Sequence, residues 1–234
     1  MTLITRYPVA PTVGGRPALA WNSGLSPNRR WLPVGLPASG AVSGWPTQYN
    51  DLTLPARDLT KPPSTATESG IRHMYTDGTQ GQGLSVDIAD PSTMRTVVII
   101  ARPNAGDVVG ASGRIVRFGD TGVIQQQDAD TVTASGGIAS LTATRGKWHV
   151  YSISLPAVGA TSSNGIFAVD GSSTTFPYTD AAWTASALRI ASSSGTNGRQ
   201  LRVLEIITSA NTFTAAQLTA LYAKAKAWYP GLNW

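Results

Sequence analysis

Residues Leu188 to Trp234 read LRIASSSGTNGRQLRVLEIITSANTFTAAQLTALYAKAKAWYPGLNW, and this stretch decides the reading of the chain. Leu188 to Ile190 is a short strand candidate, and Ser192 to Gly198 is a turn-rich break. Leu201 to Thr208 is a longer, apolar strand candidate. After it the apolar spacing changes from two to near 3.6, as in an amphipathic helix. Thr214 and Gln217 stand at the positions of a capping box, and Phe213 and Leu218 at those of a hydrophobic staple. Leu218, Leu221, Tyr222, Ala225 and Tyr229 share one helical face. Lys224 and Lys226 lie near the carboxyl end, where the macrodipole favours cations, and Pro230-Gly231 stops the helix. One main helix is expected over 215–229, directly after a strand, in a chain that otherwise reads as β.

Upstream, short strand candidates follow one another with turn signals between them. Ile71 to Tyr75, Leu84 to Ile88, Arg114 to Phe118, Val123 to Gln126, Ile138 to Ala143 and Gly165 to Val169 all fit. Met94 to Ala101 is a continuous β-branched run, which predicts a central strand covered on both faces. Lys147 to Leu155 alternates: Trp148, Val150, Ser152 and Ser154 point one way, His149, Tyr151, Ile153 and Leu155 the other. Lys61 to Ser69 reads as a Pro/Ser/Thr loop, and Asp170-Gly171 as a hairpin turn. Many short strands at this spacing predict an all-β, antiparallel sandwich or barrel with one C-terminal helix.

Composition agrees. The chain has 234 residues, no cysteine, 24 glycines, 15 prolines and 41% hydrophobic residues. That is a turn-rich β composition able to bury a core without disulfides. The net charge of +5 is scattered, apart from Arg29-Arg30, so no nucleic-acid partner is expected. No stretch is long and apolar enough for a membrane span, and the N-terminus reads as lacking a signal peptide.

Residues 1–40 carry six prolines and a Gly-Gly pair but no period. They read as an extended arm, with the globular domain at 41–234. Tyr7, Trp21, Trp31 and Leu32 would expose much apolar surface on a free arm, and Arg29 and Arg30 could reach acidic groups. These six are the expected interface residues, lying on a neighbouring subunit.

The ordered strands carry a resemblance. Gly146-Lys147-Trp148-His149-Val150 resembles the G-x-W-H-x-V strand of laminin-G and pentraxin-like domains. Ile166 to Gly171 resembles their Y-V-D-G hairpin, Leu188-Arg189-Ile190 their next strand, and Gly198 to Leu218 their final stretch, with Glu205 at its acidic position. Trp45 to Leu54 and Arg72 to Leu84 resemble two earlier pieces. Over about residues 41 to 230 the chain is similar to concanavalin A-like lectin/glucanase jelly rolls of the version common in bacteriophage virion proteins. Departures are Ala191 in place of the usual glycine, and Asp77-Gly78 after Tyr75-Thr76 rather than a Phe.

The resemblance implies a structural protein of a bacteriophage virion, a minor tail or capsid decoration protein pinned by its arm, with a glycan-binding adhesin that contacts the host cell surface as the alternative and a glycoside hydrolase as the remote one. Its partners would be other virion proteins, further copies of itself, and possible host-surface glycan. Trp45 and Trp183 are the candidate glycan-stacking rings; Trp148 reads as core. The glucanase branch uses Glu-x-Asp-x-(x)-Glu, whereas this chain has two glutamates, Glu68 and Glu205, far apart. The expectation is therefore that it is not an enzyme. No cofactor is expected. A loop calcium ion would use Asp107, Asp120, Asp128, Asp130 or Asp170, but turn-capping is the favoured role of each. His73 and His149 lack metal or catalytic context, so His149 reads as a satisfied structural histidine. Glu205 is expected to tie down backbone or an arginine near a sheet edge.

Overall fold

The computed structural model describes residues 29–48, 51–87, 94–107, 113–118, 122–134, 137–157, 163–178, 187–191 and 199–234. In chain order the first strands are β1 (Arg29–Trp31), β2 (Gly40–Ala41), β3 (Gly44–Pro46), β4 (Thr53–Pro55), β5 (Ser64–Glu68), β6 (Ile71–Tyr75) and β7 (Leu84–Asp87). Then come β8 (Thr96–Pro103), β9 (Arg114–Phe118), β10 (Gly122–Gln126), β11 (Thr131–Ala134) and β12 (Ala139–Thr142). The last are β13 (His149–Ser154), β14 (Ser163–Val169), β15 (Ser172–Tyr178), β16 (Ala187–Ile190) and β17 (Leu201–Ser209), followed by helix α1 (Ala215–Trp228).

A nine-stranded sheet runs β15-β14-β13-β8-β17-β6-β5-β2, with β1 also on β17. A six-stranded sheet runs β12-β11-β10-β9-β16-β7, and β3 with β4 forms a small hairpin. Every described strand pair is antiparallel. The chain is thus an antiparallel β-sandwich with one C-terminal helix.

Alternation builds two apolar layers. On β8, Val97, Ile99 and Ala101 face the other sheet, while Val98 and Ile100 face α1. On β13, Tyr151 and Ile153 face the other sheet, and Val150 lies on the helix side with Trp148 just before the strand. Both strands are central and covered on both faces, as their sequences predict. The helix lays Leu218, Leu221 and Ala225 on the sheet with Phe213. Its cap is the one written in the sequence: the Gln217 N–H donates to Thr214 Oγ1 at 3.3 Å, and the Thr214 N–H donates to Gln217 Oε1 at 2.8 Å.

Two stretches differ from the sequence reading. Ser64–Glu68 is a strand rather than a loop, because Pro62-Pro63 precede it instead of interrupting it. Ser69 (φ 51°) and Gly70 (φ 77°) then turn it into β6 as a tight hairpin. The expected arm boundary near residue 40 also needs correction. Arg29–Trp31 pairs with Ile206–Thr208 along the edge of β17 that β6 leaves open, and Trp31 is 1% exposed. Residues 29–31 therefore belong to the domain's own sheet, since an unpaired β17 edge would leave backbone donors and acceptors unsatisfied. The rest of the arm, with Tyr7 and Trp21, lies outside the described residues. Among the described residues, no helix is long and apolar enough to cross a membrane.

Candidate functional site

Helix α1 covers the outer face of the nine-stranded sheet, packing on β13, β14 and β15. Among the described residues no helix lies on the outer face of the six-stranded sheet, and its strands present mostly polar side chains there. On β11, Val132 and Ala134 are in the inter-sheet core, so Thr133 between them points outward. On β16, Leu188 and Ile190 point in, so Arg189 points out. Ile124 and Gln126 are fully buried on either side of Gln125. Arg117 follows the buried Val116.

Register assembles these residues into two transverse rows. Ser140 is opposite Thr133, Thr133 opposite Gln125, and Gln125 opposite Arg114. In the neighbouring row, Val123 is opposite Arg117, Arg117 opposite Arg189, and Arg189 opposite Ser85. An irregularity between Ile124 and Gln125 shifts the register on β9, so that Ile115 and Val116 both turn inward and Arg114 and Arg117 stay on one face.

The chemistry of this face is uncommon for a sheet surface. Like charges directly opposite each other destabilise a pair of strands, yet Arg117 and Arg189 occupy such positions. Burial, and then the charges of Arg117 and Arg189, push the Arg114 guanidinium below the ordinary arginine value. The Arg114 Nε–H and the Thr133 hydroxyl are buried with no hydrogen-bond partner in the protein. Buried donors and acceptors are normally satisfied, so these two are polar groups of the face whose hydrogen-bonding capacity is unused within the protein.

The residues singled out from sequence lie elsewhere. Trp45 is fully buried and donates its indole N–H to the Leu32 carbonyl at 2.9 Å, so it is not a glycan platform. Its strand is one half of a small hairpin whose apolar side closes the core, which is why the ring turns inward. Trp183 lies outside the described residues. Arg29 pairs with Asp51 at 3.0 Å on the surface. Arg30 and Trp31 are buried in their own domain and are not interface residues, because β1 belongs to the sheet. Leu32 is partly exposed and leads into a short turn of 3-10 helix.

Glu205 does tie down an arginine, as expected, and the arginine is Arg30. A bulge between Val203 and Glu205 leaves Leu204 and Glu205 on the helix side. There the carboxylate accepts from Arg30 and, at 2.7 Å, from the Tyr229 hydroxyl. Burial and the charge of Glu205 hold the Tyr229 hydroxyl well above the usual phenol range, so it stays a proton donor. Arg30 also sits over the Trp228 ring, 4.6 Å from its centroid.

His149 is satisfied on both nitrogens: Nδ1 lies 2.6 Å from Asp170 Oδ2, and Nε2 lies 2.9 Å from the Thr144 carbonyl. The loop carboxylates serve the fold. Asp170 accepts the Val150 N–H at 2.9 Å, Asp128 accepts the Asp130 and Thr131 N–H groups, and Asp107 accepts the Gln200 N–H and pairs with Arg199 at 3.1 Å. Asp130 accepts the Ala143 N–H through its carbonyl, and Asp120 lies outside the described residues. Among the described residues no cluster of three or more metal-ligating side chains occurs.

No protein-family model matches the chain, and no curated protein matches it. Solved structures do. Trypanosoma rangeli sialidase with 2,3-difluorosialic acid, a covalent intermediate, superposes with TM-score 0.62 at 13% identity, covering 93% of this chain and 36% of that one. The same sialidase with sialic acid gives 0.61 at 12% identity, with the same coverages of 93% and 36%. A mutant with trans-sialidase activity gives 0.60 at 11% identity, covering 85% and 33%. At these identities the likeness establishes the fold, and the chain spans about a third of the sialidase chains that it matches.

These matches overturn the expectation of a protein that is not an enzyme. The three solved chains above are sialidases, and this chain matches about a third of each. The sequence argument tested only the paired-carboxylate arrangement, which is one of several routes to glycoside hydrolysis. The residues of this face that sequence reasoning did not single out are Arg114, Arg117, Gln125, Thr133, Ser140 and Arg189. Their one signal was polar alternation within short strands, as in RIVRF and TVTA, which does not say which strands are neighbours.

Proposed function

We propose that this protein binds carbohydrate, and that the ligand lies on the outer face of the six-stranded sheet. The observation that carries the reading is the pair of polar rows there, with the Thr133 hydroxyl and Arg114 Nε–H buried and without a partner. Sugar hydroxyls are paired donors and acceptors, and they suit a row made of an amide, two hydroxyls and a guanidinium. The sialidase matches support the reading at the level of fold, and the ordered motifs support a lectin-like jelly roll of the concanavalin A class. Binding to a glycan array tests it. Gln125→Ala and Thr133→Val should lose the signals that the unaltered protein gives, while keeping its melting profile. An array with no signals, or variants that bind like the parent, refutes it.

The sequence resemblance supports a setting for this activity: a component of a bacteriophage particle that joins other virion proteins and copies of itself and meets host-surface glycan. Antibody labelling of purified particles checks that setting, and unlabelled particles reject it.

A further inference from the structure

On the outer face of the nine-stranded sheet, Arg102 on β8 is directly opposite Arg202 on β17, and Arg202 is opposite Tyr75 on β6. Each guanidinium lies over an aromatic ring, Arg102 at 5.4 Å from the Trp148 centroid and Arg202 at 5.2 Å from that of Tyr75. Glu68 pairs with Arg102, each carboxylate oxygen 2.7 Å from a different guanidinium nitrogen. Arg202 makes no ion pair among the described residues, and its side chain donates one hydrogen bond there, to Asn104 Oδ1. Neither 108–112 (VVGAS), between β8 and β9, nor 192–198 (SSSGTNG), between β16 and β17, contains an acidic residue. We infer that Arg202, held over Tyr75, anchors an aspartate or glutamate side chain of a partner protein.

Like charges directly opposite each other destabilise a pair of strands, and an anion bound beside them relieves the repulsion. Glu68 does this for Arg102 from within the chain; even so, burial and then the charge of Arg202 push the Arg102 guanidinium below the ordinary arginine value. A carboxylate matches the planar fork of an arginine, which donates two parallel hydrogen bonds to it. Arg202 is half-buried and rests on the Tyr75 ring, so it has little side-chain freedom left to lose on binding. Arginine and tyrosine are also among the residues that carry most of the energy of protein–protein contacts. Both rings of the cluster are taken. Trp148 is fully buried, and Tyr75 carries Arg202, so neither is a stacking platform for a sugar or a nucleobase. An acidic side chain therefore fits this surface better than a glycan or a nucleic acid does.

The test is an NMR titration of the full chain, read at the arginine Nε–H signals and the Tyr75 ring, with hexaglutamate as the probe. An oligouronate and single-stranded DNA are titrated beside it. The expected result is a saturable shift of the Arg202 and Tyr75 signals with hexaglutamate, weakening as salt is raised. Arg202→Gln should bind the peptide about tenfold more weakly, the loss of one charge-assisted contact. Arg202→Lys keeps the charge but not the fork, and should also bind more weakly than the parent. Lys226→Gln, which removes one charge from the exposed side of α1, should bind like the parent. The absence of a saturable shift at Arg202 overturns the inference, as does equal weakening in Arg202→Gln and Lys226→Gln, which would report net charge alone. Parent-like binding by Arg202→Lys, or tighter binding of the oligouronate or the DNA than of hexaglutamate at Arg202, overturns it too. The carbohydrate reading concerns the other sheet and stands or falls separately.

Discussion

Arg30 and Glu205, 175 residues apart in the chain, form an ion pair inside the domain, with side-chain exposures of 9% and 0%. The pair joins the first described strand to the central strand β17, and Tyr229 closes it from beyond the helix. Three parts of the chain that sequence reading keeps separate therefore meet at one carboxylate.

Removing one partner leaves a buried charge without its counter-charge. Arg30→Met should cost about 3–5 kcal/mol of stability in urea unfolding. The double variant Arg30→Met with Glu205→Met should recover much of that loss, because neither charge is then buried alone. Deleting residues 2–38 should destabilise the domain at least as much as Arg30→Met, since β1, Arg30 and Trp31 all go. An unchanged midpoint in the deletion would mean that β1 does not support the sheet.

The helix face provides a second check. Leu221 is 3% exposed between α1 and the nine-stranded sheet. Leu221→Ala should lower stability by about 2–5 kcal/mol, the cost of an unfilled core site. A thermal melt identical to that of the parent would show that the helix is held by something other than this contact.

His73 makes stability depend on pH. It is 1% exposed, edge-on to the Trp148 ring with centroids 5.5 Å apart, and burial lowers its pKa to about 4 from the ordinary 6.5. The backbone carbonyl of Ile71 and the charge of Glu68 oppose the shift, while the charges of Arg202 and Arg102 add to it. The folded ring stays neutral where the unfolded ring takes a proton. Its contribution is therefore complete above pH 6.5 and is lost as the pH falls toward 4, by at most about 3 kcal/mol. Urea midpoints between those pH values should decline for the parent, and the decline should be shallower in His73→Gln. Parallel pH profiles for the two proteins would remove His73 as the cause.

What the sequence by itself determined is what neighbouring residues settle among themselves. The helix was legible because its cap, staple and apolar stripe link residues three to five apart, and Thr214, Gln217, Phe213 and Leu218 do in the structure what that spacing says. The strands β8 and β13 were legible because period-two alternation, or an unbroken β-branched run, reports burial without reference to a partner.

Tertiary structure alone decided which strands meet. The three residues of β1 are too few to carry a period, and their strand character comes from the open edge of β17. The inward turn of Trp45 and the pairing of Glu205 with Arg30 follow from the same cause. So does the candidate site: Ser140, Thr133, Gln125 and Arg114 form one row only because β12, β11, β10 and β9 pair in that register. Arg189 joins Arg117 only because β16 closes on β9 across a long connection. Side-chain alternation says which way each residue points, whereas hydrogen bonding between distant strands sets which residues stand side by side.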